Sequence, residues 1–147
     1  MTDEKKHVDS VKALMNGSEY TIAIQRHALP YFEYDHGSAI SMLKRLMGSE
    51  WTEKDVTDVL EFALGPQPAE GTDLMQWKLL KPIVRVRVNG VLTTRKSSEG
   101  VIQLKEAIQA KGVGTYAPLA TMVLLAVLYG IDEADASFSD EEENADG

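Results

Sequence analysis

Three histidines and a few clustered carboxylates are the side chains in this chain that could support catalysis or metal binding. His27 and His36 are nine residues apart across a predicted helix, and this spacing does not place them on one face. Glu33, Asp35 and His36 are possible metal ligands by residue type, but no HExxH motif or comparable ligand spacing accompanies them. A solvated helix end explains these residues more simply, so we predict neither a metal site nor a cofactor.

Nucleophilic catalysis also lacks a supporting motif. The chain has no cysteine, and it has neither the GxSxG nor the SxxK pattern that would put a serine beside an oriented base. Glu53 and Asp55 form an acidic pair, but they lie where a helix is predicted to begin, and carboxylates there favour the positive end of the helix dipole. The glycine-rich segment 111–115 lacks the spacing of a phosphate-binding loop. We therefore predict that the protein is not an enzyme.

The basic cluster of the chain consists of Arg85, Arg87, Arg95 and Lys96. It fits a solvated outer face, an acidic protein surface, the chain's own acidic end or a phosphate backbone, although no aromatic side chains interleave with it. The net charge is −8, but eight of the 23 acids follow residue 131, and the remaining 15 balance 15 bases. A neutral body offers no basic face, so we predict no nucleic-acid binding.

Two Asn-Gly pairs predict β-hairpins, because both residues tolerate the positive φ that a type I′ turn requires. Asn16-Gly17 separates residues 11–15 from an alternating arm over 18–24. Asn89-Gly90 separates residues 83–88 from 91–95, again with sharp alternation. The arginines of the second hairpin are expected on its outer face.

Helical periodicity and end signals predict about five helices, over residues 29–36, 38–47, 52–64, 98–111 and 118–129. A further short helix over 73–81 would end at Pro82. The last helix is apolar around its whole circumference, which predicts a position at the buried centre of the fold or at an interface. It is much shorter than the roughly 20 residues needed to cross a bilayer, so no membrane association is expected.

These elements predict a mainly helical α+β protein with one globular domain over residues 10–131. An apolar share of 44% is sufficient for one core. Residues 1–9 are expected to form a flexible leader without a signal peptide, which together with the missing cysteines favours the cytoplasm. Residues 132–147 are rich in Asp, Glu, Ala and Ser, so we predict a disordered acidic tail.

The order of these elements resembles that of a known family. The hairpin 16–22 leads into Ala-Leu-Pro-Tyr-Phe-Glu (28–33), then Gly-Ser-Ala-Ile (37–40) and the helix over 55–64. The segment Ile-Gln-Ala-Lys-Gly-Val (108–113), the apolar helix 118–129 and the acidic, alanine-rich end follow. Over most of its length the chain resembles the small tail assembly chaperones of long-tailed bacteriophages and gene transfer agents.

The resemblance implies a non-enzymatic protein of the host cell cytoplasm. It would hold the long, aggregation-prone tape measure protein until tail tube protein subunits polymerise around it, and it could also form a homo-oligomer. Apolar helical surface would mask the partner, and the acidic tail would keep the complex dissolved. The candidate partner-binding residues are Leu124, Leu125, Leu128, Val59, Leu60, Arg85 and Arg87.

Two other functions are compatible with the sequence. A virion structural or connector protein would remain in the finished particle, whereas an assembly chaperone would be absent from it. A small acidic inhibitor of a host protein would carry its acids on a folded face, whereas this sequence concentrates them near its end.

Overall fold

A computed structural model describes residues 7–75, 84–88, 91–95 and 99–141. Within these residues the protein is a mainly helical α+β fold, as predicted. Its helices are α1 (Leu29–His36), α2 (Ala39–Met47), α3 (Glu53–Leu64), α4 (Glu99–Lys111) and α5 (Ala117–Tyr129). Its strands are β1 (His7–Val8), β2 (Val11–Met15), β3 (Ser18–Ile22), β4 (Val84–Val88), β5 (Val91–Arg95), β6 (Ile131–Asp132) and β7 (Ser137–Ser139).

The first predicted hairpin is present. Strands β2 and β3 pair antiparallel, with Met15 opposite Ser18 beside the turn. Asn16 has φ 51° and Gly17 has φ 82°, which are the positive values that a type I′ turn needs. The two-residue turn therefore sets the register that turns alternate side chains of β2 and β3 toward the core.

The helix ends also lie where the sequence predicts them. Ser38 precedes α2 and its hydroxyl oxygen accepts a hydrogen bond from the Ser41 N–H at 3.2 Å. Thr52 caps α3 in a reciprocal capping box with Asp55, which satisfies two backbone donors at the helix start. Short polar side chains before an apolar run are thus enough to locate these two helix starts.

Helix α5 lies at the centre of the fold and contacts α2, α3 and β2. Its buried residues are Ala117, Leu119, Ala120, Val123, Leu124, Ala126 and Val127. The prediction of a buried central helix is confirmed, because an apolar surface on several sides of a helix must be covered by several neighbours.

The second predicted hairpin is present as backbone pairing. Strands β4 and β5 are antiparallel, with Val88 opposite Val91. The Asn89-Gly90 turn and the side chains of both strands lie outside the described residues. Of the predicted helix over 73–81, only the beginning is described, and residues 74–75 are helical.

The predictions for the two chain ends are wrong wherever the structure describes them. In the predicted leader, β1 pairs with β6, so His7 lies opposite Asp132. In the predicted tail, β7 pairs parallel with β2 and places Phe138 opposite Ala13. Acidic composition predicted disorder, but Ala136 is buried and Phe138 packs against the core, which offsets part of the chain entropy. Residues 1–6 and 142–147 lie outside the described part.

Across the described segments, every helix falls short of the length and apolar character required to cross a bilayer.

Candidate partner-binding surface

Three of the predicted partner-binding residues belong to the core. Leu124 of α5 and Val59 and Leu60 of α3 are all 0% exposed, so they do not themselves form a contact surface in this fold. That Leu124 lies just beneath a partner-binding face, the other position expected for it, stays a prediction. Periodicity identifies the apolar face of a helix, but it does not distinguish the face that packs inside from one that binds a partner. These three residues hold α3 and α5 in place beneath the surface.

The other four predicted residues have different environments. Leu125 and Leu128 of α5 are half-buried and pack against the edge of the core. Arg85 lies opposite Thr94 and Arg87 opposite Leu92 in the basic hairpin, and their side chains fall outside the described part. A role in partner binding stays a prediction for all four.

Helix α2 leaves two of its apolar side chains exposed. Met42, Leu43 and Leu46 are buried, but Ile40 is 44% exposed and Met47 is 64% exposed. Because Ile40 and Met47 are seven residues apart, both lie along the same edge of the apolar face of the helix. Packing against α5 covers the middle of that face and leaves this edge accessible.

Met47 borders an open groove between the end of α2 and the beginning of α5, which we call the α2–α5 groove. Its volume is about 420 Å³. The lining residues are Leu46, Met47, Ser49, Trp51, Gly114, Ala117, Pro118 and Thr121. Trp51 is half-buried and Pro118 is exposed, so the groove presents accessible apolar surface.

The connection between α2 and α3 positions Trp51. The N–H of Gly48 donates to the Lys44 carbonyl oxygen and the N–H of Glu50 to the Arg45 carbonyl oxygen, both at 2.9 Å. Ser49 adopts φ 60°, a left-handed conformation that is unfavourable for a residue with a side chain. The tight turn therefore fixes the direction in which the chain presents the indole ring.

A partly exposed ion pair links the same connection to both helices. Arg45 donates to both carboxylate oxygens of Asp55, at 3.1 Å each, and the N–H of Thr52 donates to Asp55 at 3.0 Å. The hydrogen bond from Arg45 lowers the pKa of Asp55, because it stabilises the charged form. The sequence predicted the cap of α3, but it gave no signal for the contact with Arg45.

The other side of the groove is formed by the chain that leads from α4 into α5. Residues Val113–Tyr116 form one 3₁₀ turn, after which Ala117 begins α5. Gly114 lies beside Trp51, since a Cβ atom on this glycine would be 3.7 Å from the indole Cη2 atom. The position of this turn therefore helps to define the width of the groove.

The acidic residue Asp140 is buried below this turn, and sequence reasoning did not identify it. Its side chain is 0% exposed. It accepts hydrogen bonds from the Tyr116 hydroxyl and from the N–H of Asn16 at 2.8 Å. The Lys111 Nζ atom donates to the Asp140 carbonyl oxygen at 2.8 Å and lies 3.6 Å from carboxylate oxygen Oδ1.

The pKa of Asp140 is lowered despite the burial of its side chain. Burial raises the pKa of its carboxyl group, but the hydrogen bonds from Tyr116 and Asn16 and the charge of Lys111 lower it further than burial raises it. The pKa of Tyr116 is raised by burial and by its hydrogen bond to the carboxylate. The pair is therefore an ionised carboxylate and a neutral phenol near pH 7.

The arrangement supports binding by shape and apolar contact. Among the residues that the structure describes, no three His, Cys, Asp or Glu side chains converge to hold a metal ion. Comparisons with known proteins add no assignment, because no family model, no curated protein and no solved structure matches this chain. The resemblance to tail assembly chaperones therefore stays a prediction from the sequence.

Proposed function

We propose that this protein is a phage tail assembly chaperone that binds apolar helical segments of the tape measure protein in the α2–α5 groove. The observation that carries the proposal is the exposure of Met47 beside Trp51 and Pro118 at an open groove. The resemblance of the sequence to tail assembly chaperones supplies the identity of the partner.

The physical basis is the removal of apolar surface from water. Covering such surface stabilises a complex by about 25 cal/mol per Å², and an amphipathic helix in an apolar groove is a recurrent way to do so. Met47 suits a partner with many similar helical segments, because a flexible thioether side chain adapts to different shapes.

Charge supplies the second part of the proposed role. The chain carries a net charge of −8, with its excess acids after residue 131. Like charge on each bound copy opposes association between complexes and keeps them dispersed. In this proposal the host cell cytoplasm is the site of action, and the tail tube protein displaces or joins the chaperone as it polymerises around the tape measure.

Co-expression with the tape measure protein tests the proposal. We expect the wild-type chain to keep the tape measure in the soluble fraction. Met47→Asp should lower that soluble fraction to the level seen without the chaperone, because a charge in the groove opposes apolar contact. The matched control is Ile40→Asp, which puts the same change at an exposed position of α2 that does not line the groove.

Two results would contradict the proposal. One is a folded Met47→Asp variant that solubilises the tape measure as well as the control does. The other is the presence of the chain in purified particles, detected by mass spectrometry, which would favour a virion structural protein.

A further inference from the structure

The α2–α5 groove and the buried Asp140 share one stretch of chain. Lys111, at the end of α4, and Tyr116, just before α5, both contact Asp140. Between and directly after them lie Gly114, Ala117 and Pro118, which line the groove. Asp140 therefore holds both ends of the turn that forms one wall of the groove. Its carboxylate accepts from Tyr116, and Lys111 binds its carbonyl oxygen and lies 3.6 Å from the carboxylate.

Asp140 ends a segment over residues 131–140, which we call the strap. The strap follows Gly130, whose φ of 78° reverses the chain after α5. Apart from β6 and β7, it is attached by the buried Ala136, by Phe138, whose ring centroid is 6.0 Å from that of Tyr116, and by Asp140. Backbone hydrogen bonds from the Lys12 N–H to the Ala136 carbonyl oxygen and from the Asp140 N–H to the Leu14 carbonyl oxygen add to this attachment, and the side-chain contacts of Asp140 hold the end of the strap.

Loss of these polar contacts would affect the turn as well as the strap. The Tyr116 hydroxyl would lose its acceptor, although the residue is 0% exposed. An unsatisfied buried donor is unfavourable, so the turn would have to move until water reached it. Such a movement would displace Gly114 relative to Trp51 and change the shape of the groove.

We propose that Asp140 is a positioning residue for the α2–α5 groove, so that attachment of the strap and occupation of the groove are coupled. Coupling is reciprocal: a helix that fits the groove in this shape stabilises the attached strap, and the attached strap favours binding of that helix. The role of the groove in partner binding rests on the proposed function, whereas the link between Asp140 and the groove can be measured without any partner.

Trp51 provides the measurement. Trp77→Phe leaves Trp51 as the single tryptophan of the two in the chain, and acrylamide quenching of its emission then reports access to the groove. In this background we expect Asp140→Ala to shift the emission of Trp51 to longer wavelength and to increase its quenching. The matched control is Glu141→Ala, which removes an exposed neighbouring acid and should leave both quantities unchanged.

A conservative variant separates positioning from a general loss of folding. Asp140→Asn keeps an oxygen that can accept from Tyr116 and Asn16 but removes the attraction to Lys111, so its effect on Trp51 should be smaller than that of Asp140→Ala. If Asp140→Ala does not fold, Lys111→Met takes its place, because this change removes the cation from the far side of the carboxylate. Its Trp51 emission should also shift to longer wavelength.

Amide hydrogen exchange of residues 136–140 gives the result that would overturn the inference. Fast exchange in a folded Asp140→Ala or Lys111→Met variant shows that the strap has detached. Unchanged Trp51 emission in that variant would mean that the groove does not depend on the strap. If both the exchange and the emission were unchanged, the inference would also be overturned, because Asp140 would then hold neither the strap nor the wall of the groove.

The two proposals fail in different ways. If Met47→Asp leaves the tape measure soluble while Asp140→Ala alters Trp51, the proposed function is wrong and the coupling stands. If Met47→Asp abolishes solubilisation, the coupling further predicts that Asp140→Ala weakens tape measure binding by about fivefold or more. An unchanged affinity in that case would contradict the coupling alone.

Discussion

Among the residues that the structure describes, the buried carboxylates Asp55 and Asp140 have partners at very different distances along the chain. Asp55 receives hydrogen bonds from Thr52 and Arg45, which are three and ten residues away. Asp140 receives them from Asn16 and Tyr116, which are 124 and 24 residues away. Asp55 joins two consecutive helices, whereas Asp140 joins the end of the described chain to its first hairpin and to the start of α5.

The two carboxylates make similar hydrogen bonds, but those of Asp140 connect segments that are much farther apart in the sequence. The partners of Asp55 are held near it by α2 and α3 even without the ion pair. The strap is attached by strand pairing with β1 and β2, but no helix holds its end beside Asn16 and Tyr116, so we expect Asp140 to have the larger effect on stability. The following variants test this expected order of effects on stability.

The largest effect is expected for Asp140→Ala. Asp140→Ala leaves the buried Tyr116 hydroxyl and the N–H of Asn16 without their acceptor and removes the carboxylate that lies 3.6 Å from Lys111. The loss of such partners around a buried, hydrogen-bonded charge costs about 3 kcal/mol. Urea unfolding followed by far-UV circular dichroism should show the loss as a lower midpoint. Glu141→Ala is the control, and equal midpoints for the two variants would contradict the assignment.

Asp55→Ala should have a smaller effect, of about 1.5 kcal/mol, as is typical for the loss of a helix cap with a partly exposed ion pair. The same unfolding experiment measures it. Glu53→Ala removes another acid from the first turn of α3 and should leave the midpoint nearly unchanged. A greater loss for Asp55→Ala than for Asp140→Ala would reverse the comparison.

A still smaller difference should appear in the dependence of stability on pH. The pKa of Asp140 is lowered in the folded protein. The ionised carboxylate therefore makes its full contribution to the free energy of unfolding above the unfolded pKa of about 3.9. That contribution is lost as the pH falls through the lower folded value. The raised pKa of Tyr116 keeps this residue from titrating in the same range.

Asp140→Asn tests this assignment. Its free energy of unfolding, measured from about pH 5 to about pH 3, should fall less steeply than that of the wild type, because the asparagine has no proton to gain. Asp55 still titrates in both proteins and accounts for part of the remaining slope. Identical slopes would show that folding does not lower the pKa of Asp140.

The smallest effect is expected for Lys54→Ala. Lys54 forms an ion pair with Asp58 one turn later in α3, at 2.6 Å, but its side chain is 77% exposed. Such surface pairs contribute about 0.3 kcal/mol, so the urea midpoint should hardly move. A loss of stability comparable to that of Asp55→Ala would mean that side-chain exposure does not predict how much these ion pairs contribute.

The same contrast between local and distant contacts explains what the sequence could predict. The turn at Asn16-Gly17 and the cap at Thr52 depend on residues close by, and both were predicted correctly. The contacts of Asp140 depend on how remote segments meet in the fold. A composition rich in Asp and Glu therefore indicated disorder where the chain forms a strand.

The candidate groove was missed for a related reason. Ile40, Leu43, Leu46 and Met47 lie on one apolar face of α2, and only the folded structure shows which of them are buried and which are exposed. Leu124 was selected because its helix is apolar, yet that property made it part of the core. Sequence spacing identified the right helices, while the accessible surface required the assembled fold.

The central claim is that the α2–α5 groove binds the tape measure protein, and site-specific photocrosslinking tests it most directly. A photoreactive amino acid replaces Met47 in one variant and Ile40 in another, and each is co-expressed with the tape measure protein. The account predicts a crosslink to the tape measure from position 47 and little from position 40. Crosslinks that are equal at both positions, or confined to position 40, would contradict it.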